Sequence, residues 1–355
     1  MKKWTTQLRH GGRIRIRGVE QVKNMILGKQ RAPRNRTLTC SSDESGKFRE
    51  NLLSLSKPVE VSDIENTIIN QDFFEAVRYL PRAFVNLLIL DPPYNLSKDY
   101  NGHLFKEKED GEYKQWFESV LNLLKPTLKS NATVYVCSEW RTSMLIAPAL
   151  EQIFRVRNRI TWEREKGRGA KANWKNNTED IWFCTVSEDF HFDVDAVKLK
   201  RRVIAPYRHS DGRPRDWEEG ADGSFRLTHP SNSWTDITIP FWSMPENTDH
   251  PTQKPEKLIA KLILASSREN DLVFDPFVGS GTTAVVCKKL SRQFLGIEQN
   301  TQFCCWARKR LSKAETDKSI QGYANGVFWE RNSLNDQKAE KPVIGCFEEN
   351  LDLFK

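Results

Sequence analysis

The segment Asp91-Pro92-Pro93-Tyr94-Asn95 sets a carboxylate, two prolines and an aromatic ring directly after a continuous apolar run, Val85 to Leu90. Adjacent prolines hold the backbone extended and remove two N–H donors, so the loop presents carbonyl oxygens, one carboxylate and a ring. That set suits a flat ligand bearing an –NH2 group: Asp91 and the Pro92 carbonyl accept its hydrogens, and Tyr94 stacks on its face. A bare Asp-Pro-Pro is by default a capped turn; the buried strand before it and the aromatic after it favour a site. A second constellation is DPFVGSGTT, Asp275 to Thr283. Gly279 and Gly281 allow a sharp turn and close approach of a ligand to the backbone, and the following helix offers free N–H groups to an anion. Glu298, in GIEQN, ends the next strand, where an acid can bind ribose hydroxyls. Thr283 and Ala284 occupy the third-glycine region of G-x-G-x-x-G, so the unit indicates a nucleoside-bearing cofactor without naming it. The third is HPTQKPEKL, His250 to Leu258: Pro255 suits a first helical position and Lys254 can reach an anionic ligand group. Alone it is an ordinary helix start.

These groups need strands and helices to hold them. Thr67–Ile69 reads as a strand, Asp72 as a cap and 73–80 as a short amphipathic helix. Val85–Leu90 reads as a strand buried on both faces. A helix over 113–124, a strand over 132–137, a helix over 141–154 and strands over 159–162 and 180–185 follow, the last two flanking the basic loop GRGAKANWKNN. Residues 190–249 break the alternation, being rich in Pro, Gly, Asp and Trp, and read as an inserted substrate-reading module. Helix 255–265, strand 272–274, helix 283–290, strand 294–297 and helix 301–311 then resume it. The expected organisation is a basic N-terminal extension (1–60), a catalytic half (61–189), the insertion (190–249), a cofactor-binding half (250–316) and a tail (317–355), packed on the body or partly disordered.

Composition bounds the function class. The 355 residues suit one large α/β domain with attachments or two modest ones. No run approaches the length of a membrane helix, and no apolar h-region follows the basic N-terminus. Seven cysteines without a C-x-x-C pair argue against a zinc finger, a redox site and a disulfide scaffold, and no metal is expected. The expected compartment is therefore the cytoplasm. Residues 1–60 carry 14 Lys and Arg against 5 Asp and Glu, a balance of +9, while the whole chain is +8. The excess belongs to the arm, and such an arm implies either a polyanion partner, with nucleic acid first, or a solvated extension. A second basic patch, 155–175, holds 8 Lys and Arg against Glu163 and Glu165.

Taken together, DPPYN, HPTQKPEKL, DPFVGSGTT and GIEQN resemble the amino-directed DNA methyltransferases that use S-adenosyl-L-methionine and form N6-methyladenine or N4-methylcytosine. The match covers about 62–312, and the order (catalytic motif, insertion, cofactor motif) is that of the family's circularly permuted beta group. The resemblance implies a Rossmann-like α/β fold with a seven-stranded, mostly parallel sheet carrying one antiparallel strand. It implies that Asp275, Pro276, Phe277, Gly279, Gly281 and Thr282 line the cofactor's methionine end, that Lys254 and Thr252 reach its carboxylate, that Glu298 holds its ribose and that Asp72 binds its adenine. Asp91, Pro92, Pro93 and Tyr94 would form the catalytic loop, and the target base would be flipped out of double-stranded DNA.

Asp91 at the head of the loop favours adenine; N4 enzymes of this family usually have Ser there, and N4-cytosine is the runner-up. Carbon-5 methylation needs a cysteine nucleophile, commonly in a Pro-Cys pair, and the chain has none. A DNA-binding regulator without chemistry would not need Asp91 and Tyr94, and a nicotinamide oxidoreductase has no use for DPPY. Specificity is expected in 190–249 and in the basic loop, where Arg168, Lys171, Trp174 and Lys175 are the candidate DNA contacts. A cognate restriction endonuclease and a monomeric or homodimeric state complete the expectations.

Overall fold

The computed structural model describes residues 31–164, 171–204, 207–220, 223–331 and 333. Fifteen strands occur among them: β1 (Thr67–Ile69), β2 (Val85–Leu90), β3 (Lys98–Tyr100), β4 (His103–Phe105), β5 (Leu128–Ser138), β6 (Arg155–Glu163), β7 (Thr178–Thr185), β8 (Leu199–Arg202), β9 (Glu218–Gly220), β10 (Gly223–Thr228), β11 (Ser233–Trp234), β12 (Leu272–Asp275), β13 (Gln293–Ile297), β14 (Tyr323–Ala324) and β15 (Val327–Trp329). Eight form the main sheet in the order β1-β13-β12-β2-β5-β7-β6-β11. Neighbours from β1 to β5 run parallel, whereas β7 is antiparallel to both β5 and β6. The resemblance implies seven strands. The eighth here is the two-residue β11, which the insertion adds to the edge beside β6.

Helices cover both faces, which is why the central strands are apolar throughout. Leu87 and Ile89 of β2 pack in a core with Leu258, Ile259, Leu262, Val285 and Leu311 from helices Glu256–Ser266, Thr282–Lys289 and Thr301–Thr316. Val85, Leu88 and Leu90 pack on the other side with Phe117, Val120, Leu121 and Leu150 from helices Asp110–Leu124 and Trp140–Ile153. A register shift between Val85 and Leu87 accounts for Val85 joining the even-numbered face, since one bulged residue reverses the alternation.

The sequence boundaries of these elements hold to within a few residues, except that β5 and β6 start four residues earlier and the last helix runs to Thr316. Three regions differ in kind. The insertion is itself a sheet, β14-β15-β8-β10-β9, completed by strands from the tail. A short hairpin, β3 and β4, follows the Asp91 loop and turns at Asn101 and Gly102, both at positive φ. Lastly, the described part of the N-terminal extension is folded: helix Ser42–Glu50 has a capping box, Leu38 is buried against Phe303 and Trp306, and Lys309 pairs with Glu44 at 2.7 Å. None of the described helices is long and apolar enough to cross a membrane.

Candidate active site

Strands β1, β13, β12 and β2 are adjacent and parallel, so their carboxyl ends share one edge of the sheet. Asp72, Glu298 and Asp91 follow the ends of β1, β13 and β2, and Asp275 is the last residue of β12 between the latter two. Ligands of open α/β sheets sit outside this edge, and a cleft of about 510 Å³ lies there.

At the β12 end, the Asp275 carboxylate accepts from the Phe277 N–H at 3.1 Å and the Thr283 hydroxyl at 2.5 Å. It is buried, and burial pushes its carboxyl up to about 7. Asp275 therefore ties off the turn and does not line the cleft. Gly281 (φ 83°) faces helix Thr301–Thr316, where an added Cβ would fall 2.5 Å from the Ala307 Cβ. Thr282 donates to the Lys254 carbonyl at 3.1 Å and accepts from Arg310 at 3.0 Å. These three residues, expected at the cofactor's methionine end, shape the turn and are not among the residues lining the cleft. Pro276, Phe277 and Gly279 do line the cleft. A Cβ at Gly279 would lie 2.8 Å from the His250 ring, and burial pushes that imidazole down to about 3, so it stays neutral.

Glu298 accepts from the Gly279 N–H at 3.1 Å and the Asn300 N–H at 2.7 Å, and burial pushes it up to about 7. Asp72 caps helix Phe73–Ala76 by accepting from the Phe74 N–H at 2.8 Å. Both acids line the cleft, together with Phe73, Trp116 and Phe277; Phe73 and Phe277 lie 5.3 Å apart. The hairpin adds Tyr100, His103, Leu104 and Phe105. The sequence signal for it, Asn101-Gly102, is the dipeptide favoured in tight hairpin turns.

At the β2 end Lys254, expected to reach the cofactor's carboxylate, meets a carboxylate of the protein. Its ammonium donates to both Asp91 oxygens, at 2.8 and 2.7 Å, and lies 3.2 Å from the Tyr94 hydroxyl and 3.4 Å from Glu179. The side chain is 8% exposed, and although burial alone would lower its pKa, Asp91 and Glu179 hold it above the usual lysine range. Burial pushes the Asp91 carboxyl up while Lys254 pulls it down. The Tyr94 hydroxyl donates toward Asp91 at 3.1 Å, and the Pro93 carbonyl accepts from the buried Tyr113 hydroxyl at 2.9 Å. Asp91, Pro92, Pro93, Tyr94, Thr252 and Lys254 all line the cleft, so the Asp91 loop and the acids Asp72 and Glu298 meet in one space. The sequence reading missed Glu179, whose only local signal was an acid at the start of β7.

Lys171, Trp174 and Lys175 are exposed in the loop joining β6 to β7, with Trp174 94% accessible; Arg168 lies outside the described residues. The loop closes at the Glu163–Thr178 pair, beside Glu179.

A family model described as DNA methylase, of the N6 and N4 methyltransferases, matches residues 85–309. The chain is 29% identical over 265 residues to the DNA adenine methyltransferase YhdJ of Escherichia coli (strain K12), covering 73% of this chain and 86% of that one. It is 32% identical over 254 residues to the type II methyltransferase M.HpaI of Haemophilus parainfluenzae, covering 70% and 74%. Among solved structures, the cytosine-N4-specific PvuII DNA methyltransferase superposes with a TM-score of 0.53 at 17% identity, covering 70% of this chain and 89% of that one, which speaks to the fold alone. With the matched model spanning both the Asp91 loop and the Gly279 turn, the chain belongs to the DNA methylase family of N6- and N4-directed methyltransferases.

Proposed function

We propose that this DNA methyltransferase transfers the methyl group of S-adenosyl-L-methionine to the exocyclic N6 of adenine in double-stranded DNA. The observation that carries the reading is the opening of Asp91 and Glu298 into one cleft at the carboxyl edge of the sheet. The donor set fits the cofactor. Glu298 and Asp72 offer carboxylate oxygens to a ribose diol and an adenine amino group, the aromatic wall of Phe73, Trp116 and Phe277 suits a purine, and Gly279 leaves the backbone open beside them. When bound, the cofactor supplies an electrophilic sulfonium methyl.

The chain's part in the reaction is orientation and charge. An adenine amino nitrogen is a poor nucleophile because its lone pair is delocalised into the ring. Asp91 accepts a hydrogen from that nitrogen and favours a pyramidal geometry whose lone pair is free to attack, and the Pro92 carbonyl accepts the second hydrogen. Asp91 then stabilises the positive charge that develops on the nitrogen. Lys254 clamps both carboxylate oxygens, so Asp91 is held in place before the base arrives. Tyr94, fixed through its hydroxyl, presents its ring for stacking against the flipped base.

The assignment to adenine follows Asp91 at the head of the loop and the printed names of relatives such as YhdJ. A restriction-modification role, with a cognate endonuclease, follows the type II names among the relatives. The five-part organisation and the permuted motif order remain part of this reading. The test is transfer of tritiated methyl from S-adenosyl-L-methionine to DNA, with sequencing of modified bases in cells expressing the chain. N6-methyladenine at one short motif is the expected outcome. N4-methylcytosine there would replace the base assignment, and no transfer to any DNA would overturn the reading.

A further inference from the structure

Every main-sheet strand other than β7 runs toward the edge of the sheet that carries the cleft and ends on it. The antiparallel β7 does the opposite and begins there. Its second residue, Glu179, is fixed in register against Trp162 of β6 and is buried. One carboxylate oxygen lies 3.3 Å from the Tyr94 hydroxyl and 3.4 Å from the Lys254 ammonium; the other accepts from Arg164 at 2.5 Å.

Charge counting explains why such a group is kept. Asp91 and Lys254 alone would form a closed, neutral pair, with the ammonium held from the Asp91 side only. Glu179 gives the ammonium a second carboxylate that also contacts Tyr94, and Arg164 neutralises the added charge, leaving two acids and two bases in balance. A buried carboxylate without those partners would be strongly destabilising. Glu179 does not line the cleft, so whatever it does for chemistry passes through Lys254 and Tyr94.

We infer that Glu179 is a positioning residue for methyl transfer, holding Lys254 and Tyr94 against Asp91 and, through Arg164, joining this cluster to the base of the basic loop. The Arg164 N–H also closes that loop by donating to the Asn177 carbonyl at 2.6 Å, so the foot of the loop is connected to Asp91 through Glu179 and Lys254. The inference rests on the reading that Asp91 is the catalytic carboxylate.

The test uses Glu179→Gln in the full chain, which keeps the shape and removes the charge. The single-turnover rate of methyl transfer should fall roughly 10- to 100-fold, while cofactor Kd by calorimetry stays within about twofold. The acid limb of the rate profile should also move to lower pH. The titratable groups facing Asp91 are Lys254, Glu179, Tyr94, Tyr100, Tyr113, Cys137 and Asp275, and removing a like charge from among them eases ionisation of Asp91. A rate unchanged within twofold, a fall with the acid limb fixed, or a parallel loss of cofactor affinity would each overturn the inference. Asp91→Ala measured alongside separates the two readings. If it is inactive while Glu179→Gln is normal, only the positioning role is lost; if it still transfers methyl, the reading of Asp91 falls as well.

Discussion

Asp91 and Glu298 face the same cleft but different parts of the chemistry, and single substitutions should separate them. Asp91→Ala should abolish methyl transfer and leave S-adenosyl-L-methionine affinity nearly intact, because the carboxylate is directed to Lys254 and the catalytic loop. Parallel loss of cofactor binding in calorimetry would show that role to be wrong. Glu298 should give cofactor binding a pH dependence. Its carboxyl is pushed up to about 7 by burial, and it must be ionised to accept from the Gly279 and Asn300 N–H groups and from ribose hydroxyls together. Affinity should therefore be full above pH 8 and weaken as pH falls through 7, and Glu298→Gln should bind more weakly with that pH dependence removed. Isothermal titrations between pH 6 and 8.5 check both the sign and its loss.

The turn between β12 and helix Thr282–Lys289 contains two glycines with different duties. Gly279 opens on the cleft beneath His250, whereas Gly281 packs against Ala307 on the opposite side. Gly279→Val should weaken cofactor binding roughly 5- to 150-fold, the range expected when a buried group loses its partner. Gly281→Ala should instead destabilise the fold by about 1–3 kcal/mol, from overpacking against helix Thr301–Thr316 and a left-handed φ that alanine tolerates poorly. Gly279 is also left-handed (φ 53°), so both variants should lower the denaturant midpoint, whereas the loss of cofactor affinity should be confined to Gly279→Val. A Gly281→Ala protein of unchanged midpoint would contradict the packing argument.

At the scale of the whole molecule, the N-terminal extension divides. Residues 1–30 hold 8 Lys and Arg against one acid, whereas 31–60 hold 6 against 4. The second part is folded onto the body: Arg36 and Leu38 donate to the carbonyls of Trp242 and Asn247, and Leu38 is buried beside Phe303. It ties the end of the insertion to the helix behind the cofactor cleft. Deleting 1–30 should thus weaken DNA binding equally on cognate and unrelated duplexes and flatten the log–log salt slope, with the methylated motif unchanged. Deleting 1–60 should in addition lower the melting temperature, since burial of a leucine side chain is worth about 1.5–3 kcal/mol. An altered motif in the shorter deletion would mean that the arm reads bases, and an unchanged salt slope would mean that it does not touch DNA.

The strand before Asp91, the cap at Asp72, the glycine turn and the acid ending β13 were all legible in the sequence, because each depends on residues within a few positions of one another. Apolar runs set the strands, glycines the turn and capping side chains the helix starts. The placement of four acids along one edge was implied as soon as those strands were taken as parallel. What tertiary structure alone decided was which distant groups touch. Lys254 and Asp91 are 163 residues apart, and nothing in HPTQKP says that its lysine meets a carboxylate of the protein instead of one on a ligand. Glu179 reaches the cluster only because β7 runs against its neighbours and so begins where they end. Periodicity reports which face of a strand is buried, but strand direction and order follow from how the whole chain packs, and these determine the partners of Asp91.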